Sequence, residues 1–258
     1  MRKIDRLTVK YHGETVGTIS LTPDDKRLAF EYNPHWIAEG FCISPLELPL
    51  KSGLFLAKHT PFNGNFGIFE DSLPDDYGRY LLHKTLLQEG VNDFHLSAID
   101  TTRRFDLTND GERIHTATAG GLLCLSLSAP VLDYTNLLAL TGYLTQSSKY
   151  VEEMFRRMVF NYLTDNKDDH CKNFSFLIRK AAENGKYIWH LAPAYDLTLC
   201  TEGYNGQHAT SVNGTGRPTL PDFIAVGTKI KMSKKRCREI FDEVYQNCGD
   251  LLLNKNIL

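Results

Sequence analysis

A chain of 258 residues, 42% of them hydrophobic and 23% charged, has the composition of a globular protein and can bury one large core or two smaller ones. Its formal net charge of −2 gives no reason to expect direct binding to nucleic acid or to a membrane surface. No run of about 18 apolar residues is present, which argues against a transmembrane helix, and the first residues lack the apolar centre of a signal peptide. The 6 cysteines are scattered without a C-x-x-C pair, which is typical of reduced thiols, so we predict a cytoplasmic protein.

The first part of the chain is predicted to be rich in β-strands. Residues 5–32 contain apolar residues that alternate with polar ones, which is the pattern of half-buried strands. A helix is predicted from residue 72 to residue 90, with Asp71 or Ser72 as its N-cap. Residues 91–121 are polar and weakly patterned, and we expect them to be disordered.

The second part is predicted to be mainly helical. Residues 149–163 carry apolar side chains at the i, i+3, i+4 and i+7 spacing of an amphipathic helix. Residues 174–178 and 186–191 are predicted to form a β-hairpin. Residues 197–228 are rich in glycine and are predicted to be loops, after which a final helix starts near Ser233. The predicted fold class is therefore α+β, with a mostly β front and a mostly α rear.

The most informative stretch is a polar loop that follows the predicted buried helix. It has the sequence NKDDHCKN at residues 166–173 and is followed by LAPAYD at residues 191–196. The spacing from Asp168 to Asn173 is that of the protein-kinase catalytic loop, in which the Asp is the base and the Asn binds magnesium. The hairpin between the two stretches returns Asp196 to the same place, where a second oxygen ligand would hold magnesium on a nucleotide. These residues in this order predict phosphoryl transfer.

Each of these residues also has an ordinary structural interpretation. Asp and Asn in polar loops are common turn formers, so no single one of them is diagnostic. A metal-dependent hydrolase that uses Asp168, Asp169 and Asp196 is another interpretation, but it leaves Asn173 without a role. The 6 basic residues in the stretch 229–238 would suit DNA phosphates or an acidic partner, although we favour a solvated start of a helix.

In combination, these motifs resemble those of the HipA family, the serine/threonine-kinase toxins of bacterial toxin–antitoxin pairs. The segments that carry the resemblance are the N-terminal signature at 71–79, the adenine-contacting segment at 103–106, the catalytic loop at 168–173 and the magnesium-binding segment at 191–197. The resemblance implies a HipA-like, protein-kinase-like fold. In that fold a small β-rich N-terminal subdomain (residues 1–100) precedes a mainly α-helical kinase lobe (residues 101–258).

The resemblance also implies roles for single residues and for partners. Asp168 would be the general base, and Asn173 and Asp196 would hold Mg²⁺, with ATP as the substrate. The residues implied in ATP binding are Arg103, Arg104, Phe105, His170, Cys171, Lys172, Asn173, Tyr195 and Asp196. The implied partners are a HipB-like helix-turn-helix antitoxin, through which alone the protein would contact DNA, and a protein substrate such as an aminoacyl-tRNA synthetase. No membrane partner is implied.

The sequence departs from the family in two respects. Lys167 stands before Asp168 where the family usually has a Thr, and the larger departure is a missing segment. By the resemblance, a β-rich segment on the order of 100 residues lies between the N-terminal helix and Arg103, and forms most of the ATP-binding N-lobe. That segment carries the phosphate-binding loop and the lysine that grips the nucleotide. Here the stretch between Gly90 and Asp106 contains no lysine and no Gly-rich loop. Two functions therefore stay open: a HipA-like kinase that transfers the ATP γ-phosphoryl group to a protein hydroxyl, and a catalytically inactive HipA-derived protein that engages an antitoxin.

Overall fold

The computed structural model describes residues 6–24, 26–71, 106–107, 113–127, 132–181, 183–203 and 206–248. The chain divides into two compact units, Met1–Cys124 and Leu125–Leu258. The boundary expected from the sequence, between residues 100 and 101, lies outside the described residues. So do the helix predicted over 72–90 and the segment Arg103-Arg104-Phe105.

Four strands of the N-terminal unit form one antiparallel sheet in the order β1-β2-β3-β4. Their bounds are β1 (Arg6–Tyr11), β2 (Glu14–Leu21), β3 (Leu28–Tyr32) and β4 (Leu54–Leu56). Alternation places Phe30 of β3 in the core, fully buried, and leaves its neighbour Glu31 exposed to solvent. The β structure predicted over residues 5–32 is therefore confirmed where the structure describes them.

The remaining elements of this unit are short, and two aromatic residues of the unit donate hydrogen bonds to main-chain carbonyls. These elements are α1 (Pro34–Glu39), α2 (Gly67–Glu70), β5 (Asp106–Leu107), β6 (Arg113–Ile114), β7 (Thr116–Thr118) and α3 (Ala119–Leu123). The buried hydroxyl of Tyr32 donates to the Leu48 carbonyl at 2.7 Å. The indole Nε1 of Trp36 donates to the Phe41 carbonyl at 2.9 Å. These aromatic residues therefore bury their rings without leaving a polar atom unpaired.

Asp71 is a buried carboxylate that ties two distant parts of the N-terminal unit together. Its oxygens accept hydrogen bonds from the backbone N–H and from the hydroxyl of Thr118, both at 2.7 Å. The same hydroxyl accepts from the Gly121 N–H at 3.2 Å and so caps α3. A Cβ at Gly121 would lie 2.9 Å from the Asp71 Cβ, so only glycine fits there without a shift. Residues 116–121 are thus packed, and the disorder expected over 91–121 is wrong for this part.

The C-terminal unit is mainly helical, as the sequence predicts. Its helices are α4 (Tyr134–Thr145), α5 (Ser148–Leu163), a 3₁₀ turn (Cys171–Asn173), α6 (Leu220–Lys229) and α7 (Lys234–Cys248). The apolar stripe predicted over 149–163 is confirmed, since α5 fully buries Met154, Phe155, Met158 and Val159. None of the helices within the described residues is long and apolar enough to cross a membrane.

Two helices of this unit escaped the sequence analysis. The buried face of helix α4 includes Thr141 and Thr145, whose hydroxyls bond to carbonyls one turn earlier, whereas Tyr143 on the other face is exposed. Polar residues on the buried face and an aromatic residue on the exposed face weaken the contrast by which an amphipathic helix is recognised in a sequence. Helix α6, except for its last residue, lies in the stretch 197–228, which was predicted to be rich in loops. It is started by the capping box of Thr219 and Asp222, which glycine-rich surroundings hide from a search for periodicity.

The predicted hairpin is confirmed with small changes in its bounds. Strand β9 (Ser175–Lys180) pairs antiparallel with β10 (Tyr187–Leu191), from Tyr187 opposite Lys180 to Leu191 opposite Phe176. A second pair, β8 (Leu132–Asp133) and β11 (Thr210–Ser211), is parallel. The hairpin connects residue 173 to residue 191, so the two sequence motifs stand at its open end.

His115 makes the stability of the N-terminal unit dependent on pH. Its Nε2 lies 2.9 Å from the Ile43 carbonyl, and burial lowers its pKa to about 4 against the opposing effect of that hydrogen bond. Because the unfolded His115 titrates near pH 6.5, the unfolded state binds more protons between pH 6.5 and pH 4. We expect the free energy of unfolding to fall by on the order of 2 kcal/mol as the pH drops through this window. Urea denaturation at pH 7.5, 6 and 5 measures it.

The matched variants are His115→Gln, which keeps a side-chain nitrogen near the Ile43 carbonyl, and His59→Gln at an exposed position. His115→Gln should flatten the pH dependence, whereas His59→Gln should leave it as in the wild type. Equal slopes in all three proteins would contradict the assignment to His115.

Candidate functional site

The two sequence motifs meet at one pocket of the C-terminal unit. Asn173, at the end of the 3₁₀ turn, and Asp196, which follows β10, both line it. The pocket has an empty volume of about 270 Å³, which includes its mouth, and its other lining residues are Arg157, Asn161, Asn166, Asp169, Phe174, Ala194, Tyr195 and Leu197. The hairpin thus brings together the two residues that the sequence predicts as magnesium ligands.

Asp169 anchors the loop from below. Its side chain is completely buried. Its Oδ2 accepts a hydrogen bond from the Tyr134 hydroxyl at 2.9 Å and lies 3.2 Å from Nδ1 of His208. Its Oδ1 accepts from the backbone N–H groups of Ala209 and Thr210, at 2.9 and 3.2 Å. Burial raises the pKa of Tyr134, and the Asp169 charge raises it further. Both oxygens of Asp169 are therefore fully engaged in holding the loop.

Asp168 has the opposite environment, although it is the adjacent residue. Its side chain is 48% exposed, and its Oδ1 lies 3.7 Å from Nε2 of His170. Its backbone carbonyl accepts a hydrogen bond from Nδ2 of Asn173 at 2.7 Å. Consecutive residues in an extended loop face opposite ways, so burying Asp169 exposes Asp168. Of the two carboxylates, Asp168 is the one that an incoming hydroxyl group can reach.

The Asn173 side chain is oriented by the loop itself. Because its Nδ2 is bound to the Asp168 carbonyl, the oxygen Oδ1 faces away from that carbonyl. Asp196 is exposed and adopts a left-handed backbone conformation, with φ of +55°. Its own carbonyl accepts from Nδ2 of Asn166 at 3.5 Å, which joins the Asp196 segment to the loop. Two side-chain oxygen groups, from Asn173 and Asp196, are thus left for a ligand.

Tyr195 connects the segment before Asp196 to the loop. Its hydroxyl donates to the Lys172 carbonyl at 2.6 Å and lies 2.5 Å from the Ser175 hydroxyl. The sequence predicted Tyr195 as an ATP contact. In the structure it lines the pocket and also fixes the distance between the two motifs.

Three of the predicted nucleotide contacts within the described residues are not among those that line this pocket. Cys171 is buried, and its Sγ lies 3.9 Å from the Leu125 carbonyl. His170 and Lys172 belong to the loop but are likewise not among the lining residues. Arg103, Arg104 and Phe105 lie outside the described residues.

Three polar residues of the pocket were missed by the sequence analysis. Arg157, on α5, donates to the Ala192 carbonyl at 2.8 Å; burial lowers its pKa, against the charge of Glu153. Asn161, one turn further, donates to the Tyr134 hydroxyl at 2.9 Å. The third is Asn166. The sequence contained a signal for Arg157 and Asn161, because these two polar residues lie four residues apart in α5, next to its apolar stripe.

Lys167 joins the loop to the chain that follows Asp196. Its backbone N–H donates to the Cys200 carbonyl at 3.1 Å, and its ammonium group donates to the Thr201 carbonyl at 2.6 Å. Its own carbonyl accepts from the Ala209 N–H at 3.3 Å. The lysine therefore holds the segment 200–203 against the loop.

Half of the basic residues in the stretch 229–238 pair with acidic neighbours: Lys235, Arg236 and Arg238. Arg236 lies 2.7 Å from Glu152, and Arg238 lies 3.0 Å from Asp242. Such pairs are typical of a solvated helix surface and agree with the structural interpretation of this stretch.

The donor set of the pocket suits some cations and not others. Among the described residues, no three His, Cys, Asp or Glu side chains are grouped as a metal site would require. This disfavours a zinc or di-metal hydrolase site in that part of the chain. One amide and one carboxylate oxygen suit magnesium, which keeps several waters or phosphate oxygens in its shell.

Comparison with known proteins identifies both parts of the chain. Residues 87–251 match the family model of the HipA-like C-terminal domain, and residues 7–100 match that of the HipA N-terminal domain. No curated protein matches the chain. Its structure is similar to HipA of Shewanella oneidensis MR-1, solved in a complex of that toxin–antitoxin system with HipB and its operator DNA. The TM-score is 0.64 at 11% identity, over 96% of this chain and 89% of that chain, which shows a shared fold.

The two adjacent carboxylates should differ sharply in their effect on stability. Asp169→Ala leaves buried donors without an acceptor, so we expect it to lower the free energy of unfolding by about 3 kcal/mol. Asp168→Ala, at a half-exposed position, should change it by less than about 0.5 kcal/mol. Urea unfolding of both variants provides the measurement. Similar losses in the two would contradict the division of roles.

Lys167 should control the local stability of the segment after Asp196. Lys167→Met removes the bond to the Thr201 carbonyl, so we expect amide hydrogen exchange over residues 197–203 to rise about fivefold, equal to about 1 kcal/mol. Lys172→Met, in the same loop, is the control, because its side chain makes none of these contacts. Unchanged exchange in Lys167→Met would show that the backbone bonds alone hold the segment.

Proposed function

Because the chain belongs to the HipA family, we propose that it is a serine/threonine-protein kinase toxin that transfers the γ-phosphoryl group of ATP to a protein hydroxyl. The observation that carries the proposal is the shared pocket of Asn173 and Asp196, with Asp168 in the same loop. We also propose a cytoplasmic location, in line with the six cysteines, which form no disulfide in the structure.

Asp168 is the general base in this proposal. Its half-exposed carboxylate is free to accept the proton of a substrate hydroxyl as the phosphoryl group transfers. Asp169 is unsuited to this task, because its two oxygens already accept from four neighbours in the buried base of the loop. The sequence contains two adjacent carboxylates, and their surroundings separate the roles.

Asn173 and Asp196 are the proposed magnesium ligands. Bound there, the cation would neutralise charge on the phosphates. Oδ1 of Asn173 is presented by the bond between Nδ2 and the Asp168 carbonyl, and Asp196 is held by the Tyr195 hydroxyl and by Asn166. Lys172, in the same loop, is the proposed contact to phosphate. Arg103, Arg104 and Phe105 are the proposed contacts to the nucleotide.

A second candidate is a catalytically inactive HipA-derived protein that engages an antitoxin. It is favoured by the lack of a lysine and of a Gly-rich loop between Gly90 and Asp106. A kinase clamps phosphates from both sides, and the loss of one charged clamp costs several kcal/mol of transition-state stabilisation. In either case the proposed partner is a helix-turn-helix antitoxin that itself binds DNA. For the active form, the proposed protein substrate is an aminoacyl-tRNA synthetase.

Calorimetry with Mg-ATP and transfer of labelled phosphate to purified aminoacyl-tRNA synthetases test the proposal. The kinase should bind ATP, and Asp168→Asn should reduce transfer by at least about 100-fold while changing ATP affinity less than threefold. Asp196→Asn should remove the magnesium dependence of binding. Glu202→Gln, an exposed change outside the pocket, is the control. No ATP binding at millimolar concentration would reject the kinase and leave the antitoxin-binding candidate.

A further inference from the structure

Asn166 has one polar atom satisfied twice and the other not at all. The residue is buried, with 3% of its surface exposed. Its Nδ2 donates to Oδ1 of Asn161 at 3.1 Å and to the Asp196 carbonyl at 3.5 Å. Its Oδ1 is buried without a hydrogen-bond partner among the described residues. A buried acceptor in this state costs free energy until a donor or a cation reaches it.

The orientation of this amide is fixed by its neighbours. Nδ2 faces two oxygens, Oδ1 of Asn161 and the Asp196 carbonyl. If the amide were turned over, its own oxygen would face these two acceptors, and both hydrogen bonds would be lost. The backbone is fixed as well, since the Asn166 N–H donates to the Asn161 carbonyl at 2.9 Å and Asn166 forms a bridge with Cys200. The free oxygen is therefore held in one place rather than selected from several rotamers.

The pocket that Asn166 lines also contains Asn173 and Asp196. Arg157, the cationic residue of this pocket, already bonds to the Ala192 carbonyl and lies 3.2 Å from Glu153. It is thus occupied elsewhere and does not meet the need of the Asn166 oxygen. The unsatisfied atom is an acceptor in a pocket whose other free groups are oxygens, which is the environment of a hydrated divalent cation.

We propose that Asn166 is the third oxygen group of the cation site, and that its Oδ1 receives the hydrated cation held by Asn173 and Asp196. The inference rests on the proposed function, because it takes those two residues as ligands. Asn166 acts as a positioning residue here. Its Nδ2 donates to the Asp196 carbonyl, and its unpartnered Oδ1 is the atom that would accept a hydrogen bond from water bound to the cation.

A purely structural role would use only Nδ2, and the two roles respond differently to substitution. Asn166→Ala removes both atoms. Asn166→Asp keeps an oxygen at the position of Oδ1, adds a charge and loses the donor to Asn161 and to the Asp196 carbonyl. Asn213→Ala is the matched control, because both polar atoms of Asn213 are paired, with Asp222 and Lys229, and it is not among the residues lining the pocket.

The test measures Mn²⁺ binding to the full chain by electron paramagnetic resonance of free Mn²⁺, alone and with a non-hydrolysable ATP analogue. Circular dichroism verifies folding. Wild type and Asn213→Ala should bind one Mn²⁺ with equal affinity, and Asn166→Ala should bind it at least tenfold more weakly. Asn166→Asp should bind Mn²⁺ at least as tightly as wild type although it melts at a lower temperature without metal. This variant decides the question if Asn166→Ala does not fold.

Two results would overturn the inference while leaving the proposed site intact. The first is an Mn²⁺ affinity of Asn166→Ala equal to that of wild type, and the second is weaker Mn²⁺ binding by Asn166→Asp. In both cases the loss of Mn²⁺ binding in Asp196→Asn would show that the proposed site is still the one that binds the cation. Equal Mn²⁺ binding by wild type, Asn173→Ala and Asp196→Asn would show that the proposed cation site is wrong. The absence of Mn²⁺ binding by wild type, both with and without the ATP analogue, would show the same. In both cases the inference fails with the site.

Discussion

The burial of the Asp169 carboxylate among four hydrogen-bond partners is the constraint on which the candidate site depends. A charge in this position is stable only if its partners stay in place, because water cannot replace them. The start of α4, through Tyr134, and the segment of His208, Ala209 and Thr210 must therefore close on the loop together. Three stretches that are remote in sequence become one support.

The exposed parts of the site follow from this buried anchor. With Asp169 facing inward, Asp168 faces outward, and the carbonyl of Asp168 orients the Asn173 amide. On the other side, the Tyr195 hydroxyl and the Arg157 guanidinium bond to the carbonyls of Lys172 and Ala192. The site is held mostly by side chains that bond to main-chain carbonyls. These bonds do not use the carboxylates of Asp168 and Asp196, although Asp168 lies 3.7 Å from Nε2 of His170. Such support is what a site needs to present ligands in fixed positions.

The HipA family and the described pocket together favour a phosphoryl-transfer site, and the physical question is how a nucleotide would be held. In the proposed function, the C-terminal unit would supply oxygen ligands and a base on one side of the phosphates. Electrostatic catalysis of phosphoryl transfer also depends on cationic groups aimed at the transferring oxygens. Lys172 is the cationic side chain of the catalytic loop in the proposal, and the chain between Gly90 and Asp106 supplies no second lysine. The number of cationic groups that reach the phosphates therefore distinguishes an active kinase from a binding protein with the same fold.

Local patterns in the sequence determined the β structure of residues 5–32, the helix α5, the hairpin, and the placement of Asn173 and Asp196 at one pocket. Each of these features depends on periodicity or on short spacing. The local patterns did not reveal α4, which buries Thr141 and Thr145 and exposes Tyr143, or α6, whose start follows a glycine-rich stretch. They also did not separate Asp168 from Asp169, since identical side chains differ only in what surrounds them. Only the tertiary structure decided that Asp169 is a buried support, that Asp168 is accessible and that Asn166 keeps an unpaired oxygen. Those properties arise from partners more than 20 residues away in the chain, such as Tyr134 and Asp196, and no local pattern encodes which donors a folded chain brings to a carboxylate.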